Sequence, residues 1–425
     1  MRRPGLEAPP RREQDGRGPG AIIGVSHMPA PPTSSASAAP HASPPPDPAA
    51  ARAYARAHLR LSLAGTGVDL AALAVFVFSG ASLALADGLG RWPWADWTRH
   101  SPWLLILAYT LLFGAGLKLL GLPFSLASRR LENRFGLNRQ GWRGWWGDQA
   151  KGLALEAGLA LLAVELVYAL LRAAPALWWL WAWAGFLAFV VLMAQLAPVL
   201  LFPLFYRFRP LSPDDPAEAE LITRLEALCA RAKTRVRGVY EWKLGDKTSK
   251  ANAALAGWGA TRRILVSDTL LGDAPAEEIE AVLAHELGHH VHHHVWQGLA
   301  VQSVLSLFGF WVANRVLLDL AQRLHLSGIA DVAGLPLLLL VAAVLGVLLL
   351  PLGNAFSRHM ERQADDYSFM AMGRPEPLIA GLERLARRNL AEVEPPRWKE
   401  ILFYSHPAIA TRIRRARAVQ TPSGS

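Results

Sequence analysis

Cysteine is almost absent: Cys229 is the only one in 425 residues. A single thiol excludes an internal disulfide and any metal site built on cysteine pairs, and it suits a reducing compartment. Acidic residues are outnumbered, 34 Asp and Glu against 44 Lys and Arg, which leaves a net charge of +10. No nucleic-acid recognition motif accompanies that charge, so nucleic acid is not an expected partner and the excess needs another explanation. The basic start is not followed by an apolar stretch of about 7–15 residues, which excludes a secretory signal peptide. Residues 1–52 also lack apolar periodicity and are rich in Pro, Ala, Ser and Arg, so a disordered tail is expected there, with Met28 as a second possible start. Residues 419–425 are expected to form a disordered C-terminus.

What the chain has in quantity is long apolar runs: hydrophobic residues make up 52% of it. A bilayer takes about 20 apolar residues to cross as a helix. Six segments qualify, at roughly 66–86, 103–123, 153–172, 177–198, 298–320 and 333–353, and the stretch from Leu335 to Leu352 carries no charge at all. The basic residues explain the topology. Arg129, Arg130, Arg134, Arg139, Arg143 and Lys151 cluster between the second and third spans, so even-numbered spans are expected to end in the cytoplasm. The region of about 206–296 follows span four and the C-terminal part follows span six, which puts both on that side. The expected fold is an all-α polytopic membrane protein of about six transmembrane helices with a small α+β domain. Its expected divisions are a four-span region over 53–205 and a second region over 206–418 that includes the last two spans and the α+β domain.

Residues 285–289 read His-Glu-Leu-Gly-His, after the helical apolar pattern of Ile279, Val282 and Leu283. Positions i and i+4 share a helix face, so His285 and His289 can bind one metal ion with Glu286 beside it. Neutral imidazole suits zinc, and a catalytic zinc needs three protein ligands and an open position for water. Glu286 can take the proton as that water attacks an amide carbonyl. A metzincin would continue with Gly three and His six residues after the second histidine; His292 and Val295 stand there, so that subclass is excluded. A carboxylate from a later helix is the remaining kind of third ligand. Glu361, with Asp365 one turn on, is one of several acids that spacing alone leaves open. The cluster His289, His290, His292, His293 and His294 could suggest a metal-handling tract, but at about 100° per residue these side chains point all around a helix.

Ahead of the motif, 214–231 reads as an amphipathic helix, and 236–242, 252–258 and 263–267 read as short strands, with Gly257 and Gly259 able to turn the last two into a hairpin. Asp69, Glu165, Gln195, Asn314 and Arg315 lie at membrane depth, where polar residues are costly and often functional.

Several separated segments share one likeness. Leu122-Pro-Phe-Ser-Leu, Arg134-Phe-Gly-Leu-Asn-Arg-Gln, Ala251-Asn-Ala, His285-Glu-Leu-Gly-His, Ser357-Arg-His-Met-Glu-Arg-Gln-Ala-Asp and Ser405-His-Pro resemble, in order, the type I CAAX prenyl protease family of intramembrane zinc metalloproteases. The resemblance runs from about residue 53 to about 418. It implies one Zn2+ per chain held by His285, His289 and Glu361, with Glu286 as general base in a gluzincin-type endopeptidase. It places Asp365 at the family's supporting or proton-donating acid, and His294 where the family has a further histidine. His406 and Arg412 fall on positions where a donor could bind the developing oxyanion or a substrate carboxylate. Asn252 and Ala253 match an edge strand to which an extended substrate can add. The family also implies a water-filled chamber inside the helices. This chain starts its likeness at the second of seven spans and has no long insertion before the motif, which is the compact, prokaryotic style. The implied activity is hydrolysis of a peptide bond near the C-terminus of a membrane-associated or prenylated CAAX-type substrate, at a site facing the cytoplasm and in contact with membrane lipid. Two other readings stand beside it: a quality-control protease for membrane proteins, and a non-catalytic zinc-binding scaffold, against which Glu286 argues.

Overall fold

Helix α1 (Pro48–Phe78) begins where the Asp47 carboxylate accepts from the N–H groups of Ala49 and Ala50 and Pro48 fills the first turn. The computed structural model describes residues 47–91, 101–257 and 259–420, so most of the expected N-terminal tail and residues 421–425 lie outside the described residues. Residues 48–52, expected in the tail, are helix instead, because Ala and Arg after the Asp47 cap and Pro48 favour it. The first span therefore starts earlier than residue 66. It also stops earlier than 86, since Ser79 ends the helix and Gly80 takes φ +79°, a conformation that side chains resist. Residues 81–86 belong to a separate short helix, α2 (Ala81–Arg91).

The other spans coincide with the expected segments but run longer. They are α3 (Pro102–Arg134), α4 (Trp142–Ala173), α5 (Trp178–Leu196, continued to Phe205 through a π turn), α8 (His294–Arg323) and α9 (Leu335–Met372). With α1 these make six helices long and apolar enough to cross a membrane. Each packs on two neighbours: α1 on α3, α3 on α4, α4 on α5, α5 on α8, α8 on α9, and α9 back on α1. The spans thus form a closed ring.

The largest core within the ring lies at one end. Leu73 and Val77, Ile106 and Tyr109, Tyr168 and Leu171, Trp178, Leu317, and Leu335 and Leu337 form one core drawn from all the spans. Helix α2 and the turn at 332–334 complete it: Ser82 Oγ donates to Ala333 O at 2.6 Å, and Tyr168 Oη donates to Asp331 O at 3.1 Å. Trp178 Nε1 donates to Asn314 Oδ1 at 2.7 Å, which gives one of the polar membrane-depth residues a partner. Beyond this plug, no residue of 55–72, 114–128, 142–167, 183–205, 295–312 or 338–353 is buried. The middle stretches of the spans therefore add nothing to the buried core.

The described residues after the fourth span and around the last two also form a small α+β part. Its sheet has the order β1-β2-β4-β3, from β1 (Phe208–Pro210), β2 (Val239–Trp242), β3 (Ala253–Ala256) and β4 (Arg263–Ser267). β1 was not expected; β2 and β3 are shorter than expected, and Trp258 lies outside the described residues. β3 pairs antiparallel with β4 and lies at the sheet edge. Helices α6 (Pro216–Arg231), α7 (Ala276–Val291), α10 (Glu376–Asn389), α11 (Arg397–Phe403) and α12 (Ile409–Gln420) complete the domain. Ile279, Leu283 and Leu287 of α7 are buried with Leu225 and Leu228 of α6 and with Ile264 and Val266 of β4. Each such side chain contributes about 1.5–3 kcal/mol by leaving water. The basic loop between α3 and α4 docks here as well: Arg139 N donates to Lys247 O at 2.9 Å and Ser249 N to Leu137 O at 3.0 Å.

Candidate metal centre

Helix α7 meets α9 along its whole motif face because Gly288 has no side chain. A Cβ there would stand 2.8 Å from Ala364 Cα and 3.0 Å from Ala364 O. This contact brings the α7 histidines to the α9 carboxylates. His285 Nε2 lies 3.3 Å from Glu361 Oε2, His289 Nε2 lies 3.3 Å from Glu361 Oε1, and the two Nε2 atoms are 3.3 Å apart. Donor atoms about 2.0–2.1 Å from a tetrahedral zinc lie about 3.3–3.4 Å from one another. The three residues are the one group of potential metal ligands among the described residues. Glu361 Oε2 is buried without a hydrogen-bond donor, as expected of an atom waiting for a cation. The donor set therefore fits a metal ion.

A second tier of side chains orients the histidines. His285 Nδ1 is 2.9 Å from Asp365 Oδ1, and Arg412 of α12 grips Asp365 with two bonds, Nε to Oδ2 at 2.9 Å and Nη2 to Oδ1 at 2.6 Å. Zinc-bound histidines usually give their other N–H to a carboxylate in this way. Burial opposes charge on His285, but the Asp365 and Glu361 carboxylates outweigh it and raise the imidazole to about 9, so a metal must displace a proton to bind. Burial raises the Glu286 carboxyl against the pull of His285 and His289, which makes it a stronger proton acceptor.

Of the remaining sequence-derived residues, His406 faces the centre, with Nε2 3.3 Å from Glu361 Oε1 and a side chain 60% exposed. Desolvation beside the centre lowers its pKa against the pull of Glu361. Arg412 is placed differently from a free donor: it is buried behind the ligands, with Nε and Nη2 committed to Asp365. Asn252 is exposed and Ala253 buried at the start of β3, which packs on α7. His294 is buried on the far side of His289, and His292 stacks on it at 5.5 Å; His293 is the left-handed residue joining α7 to α8.

Two groups of residues escaped the sequence reading. Gly288 and Ala364 set the α7 to α9 distance. Asn354 Nδ2 donates to Leu402 O at 2.9 Å, and Arg358 Nη1 donates to Glu400 O at 2.9 Å and Tyr404 O at 2.7 Å, so α9 holds the end of α11 from which His406 projects. Both lie on the face of α9 that carries Glu361, one and two turns earlier, and that spacing was the available signal.

Known proteins share both halves of this arrangement. Residues 216–420 match the model of peptidase family M48, and residues 40–207 match that of the CAAX prenyl protease N-terminal region, described as five membrane helices. The chain is 32% identical over 302 residues to the uncharacterized metalloprotease YhfN of Bacillus subtilis (strain 168), covering 70% of each. It is 30% identical over 318 residues to the CAAX prenyl protease 1 homolog of Arabidopsis thaliana, covering 72% of this chain and 73% of that one. The chain belongs to the CAAX prenyl protease 1 family of M48 metallopeptidases. The crystal structure of S. mikatae Ste24p has the same fold, with a TM-score of 0.76 and 23% identity over 87% of this chain and 88% of that one. As a family member the chain is an integral, multi-pass membrane metalloprotease that uses a metal cofactor, acts on peptide or protein substrates and contacts lipid.

Proposed function

We propose that this M48 protein is a zinc endopeptidase that cuts a peptide bond near the C-terminus of a membrane-associated, CAAX-type substrate, from a site on the cytoplasmic side. The observation that carries the reading is the triangle of His285, His289 and Glu361 donor atoms at 3.3 Å, in a domain whose strand β3 is a sheet edge packed on α7. Docking of the Arg-rich loop between α3 and α4 on the peptidase domain supports the cytoplasmic side, because positive loops stay there.

His285, His289 and Glu361 would hold the zinc, which would supply Lewis acidity for the hydrolytic water and the scissile carbonyl. Glu286 takes the proton of the attacking water and returns it to the leaving amine, with no covalent link to the chain. Asp365, braced by Arg412, keeps His285 facing the metal. His406 is the donor placed to meet negative charge on the carbonyl oxygen. The substrate backbone adds to β3. Ser267 N donates to Asn252 O at 2.9 Å, so Asn252 points its backbone into the ladder. By strand alternation Ala253 and Leu255 turn their N–H and C=O groups to the open side.

The test uses the full chain in detergent, with zinc quantified, and compares wild type with Glu286→Ala on a farnesylated CAAX peptide and on an unprenylated membrane-protein fragment. The expected result is cleavage of the peptide by wild type and a loss of at least about 1,000-fold in the variant, the scale of losing a general base and its electrostatic role. Equal cleavage by Glu286→Ala would overturn Glu286 as the base, and a wild type that binds zinc but cleaves neither substrate would leave a zinc-binding scaffold as the better reading. Cleavage of the fragment alone would replace the CAAX substrate with damaged membrane proteins.

A further inference from the structure

The two histidines of the centre are supported in chemically different ways. His285 faces an ion pair, but among the described residues no carboxylate pairs with His289 Nδ1. His289 Nδ1 lies 2.9 Å from His294 Nδ1, and His294 Nε2 lies 2.9 Å from Gln363 Oε1. His294 is buried, at 3% exposure, between His289, Gln363 and the stacked ring of His292. Gln363 sits on α9 two residues beyond Glu361.

Proton positions in this chain are fixed one after another. His289 turns Nε2 to Glu361 and His285, so ligation through that atom leaves its proton on Nδ1. That proton needs an acceptor, and His294 Nδ1 is within reach. His294 can accept there only as the tautomer protonated on Nε2, and that N–H in turn needs an acceptor, which is Gln363 Oε1. Reverse the amide of Gln363 and the sequence runs backwards. Its NH2 would donate to His294 Nε2, His294 would donate from Nδ1, and His289 would carry its proton on Nε2, where it blocks the metal.

We infer that His294 and Gln363 are positioning residues: a neutral relay in which the orientation of one side-chain amide selects the metal-binding tautomer of His289. The inference rests on the metal-centre reading proposed above, and it assigns α9 two roles at that centre. Glu361 faces the metal directly, and Gln363 acts on it through two imidazole rings. Neither relay residue reaches substrate or metal.

The test is zinc affinity of the purified full chain, measured by competition with a chromophoric chelator, with folding checked by thermal unfolding in excess zinc. His294→Leu is expected to weaken zinc binding about 10–100-fold, the usual cost of losing an outer partner of a ligand. His294→Gln can accept from His289 and donate to Gln363, so it is expected to recover most of that loss and to show that the fold tolerates change there. Gln363→Leu touches no ligand, yet it is expected to weaken zinc binding as well, and His294→Leu with Gln363→Leu is expected to be no worse than His294→Leu alone. Wild-type affinity in His294→Leu overturns the relay. So does wild-type affinity in Gln363→Leu, since His294 would then act by packing alone. A wild type that binds zinc but cleaves neither test substrate overturns the proposed function and leaves the relay standing, whereas a wild type that binds no zinc overturns both.

Discussion

At the scale of single residues, the position that most constrains the centre carries no functional group. In His285-Glu-Leu-Gly-His the fourth residue is free as far as metal chemistry goes, and helix propensity would favour alanine over glycine by about 0.5–1 kcal/mol. The constraint comes from α9, whose Ala364 occupies the place of a Gly288 side chain. Gly288→Ala is therefore expected to push α7 away from α9 by a few tenths of an ångström or more and to open the 3.3 Å triangle of donor atoms. We predict that it purifies folded but with at least about tenfold weaker zinc affinity, in the range seen when ligand geometry is disturbed. Zinc content and cleavage equal to wild type would show that the contact yields without cost. The histidines and Glu286 were legible from spacing, since chemistry dictates them. Glu361 became distinguishable from other acids only through resemblance, and Gly288 was not legible, because its reason lies on a helix beyond a membrane hairpin.

At the scale of elements, β3 combines a ladder on one side with an open edge on the other. Proline is tolerated on an edge strand where the N–H faces outward. Leu255→Pro is therefore expected to keep the fold and the zinc while removing one hydrogen bond to substrate, lowering kcat/KM about 3–30-fold, as a net loss of about 0.5–2 kcal/mol implies. A variant that unfolds would show instead that Leu255 N–H belongs to the ladder. At the opposite edge of the sheet, β1 is tied to β2 through Glu241, a buried carboxylate that accepts from Arg209 Nε and from Lys243 Nζ, each at 2.6 Å. Burial alone would raise this carboxyl, but the two cations hold it below its ordinary value of 4.5. A lowered folded pKa means that the stabilisation is fully present above pH 4.5 and is lost as pH falls through the lower folded value. Glu241→Gln should accordingly lower Tm at pH 7, and the gap to wild type should shrink on acidification towards pH 3; a gap constant with pH would exclude the ion pairs as its source. Sequence alternation disclosed β2 to β4 but not β1, which has three residues and ends in proline. The early start of α1 was hidden for the opposite reason, since its first turns are helical by propensity and capping without being apolar enough to read as a span.

At the scale of the molecule, the ligands come from elements that a membrane hairpin separates. Helix α7 lies in the peptidase domain, α8 crosses away from it, and α9 crosses back to deliver Glu361. A metal bound across α7 and α9 thus fastens the peptidase domain to the ring of spans, in addition to the packing of Gly288 on Ala364. Binding only to the folded state adds RT ln(1 + [L]/Kd), about 4 kcal/mol when free metal is 1,000 times Kd. For a domain of about 150–250 residues each kcal/mol moves Tm by about 2–4 °C, so EDTA is expected to lower the Tm of the detergent-solubilised chain by several degrees or more. Glu286 is not a ligand in the proposed centre, so Glu286→Gln should keep that EDTA effect, while Glu361→Ala should start from a lower Tm and show little further response. The opposite pattern, with the effect lost in Glu286→Gln and kept in Glu361→Ala, would reverse the assignment of base and ligand. An EDTA response absent from wild type would mean that packing alone joins the domain to the ring, and that the ring holds its shape whether or not the centre is filled.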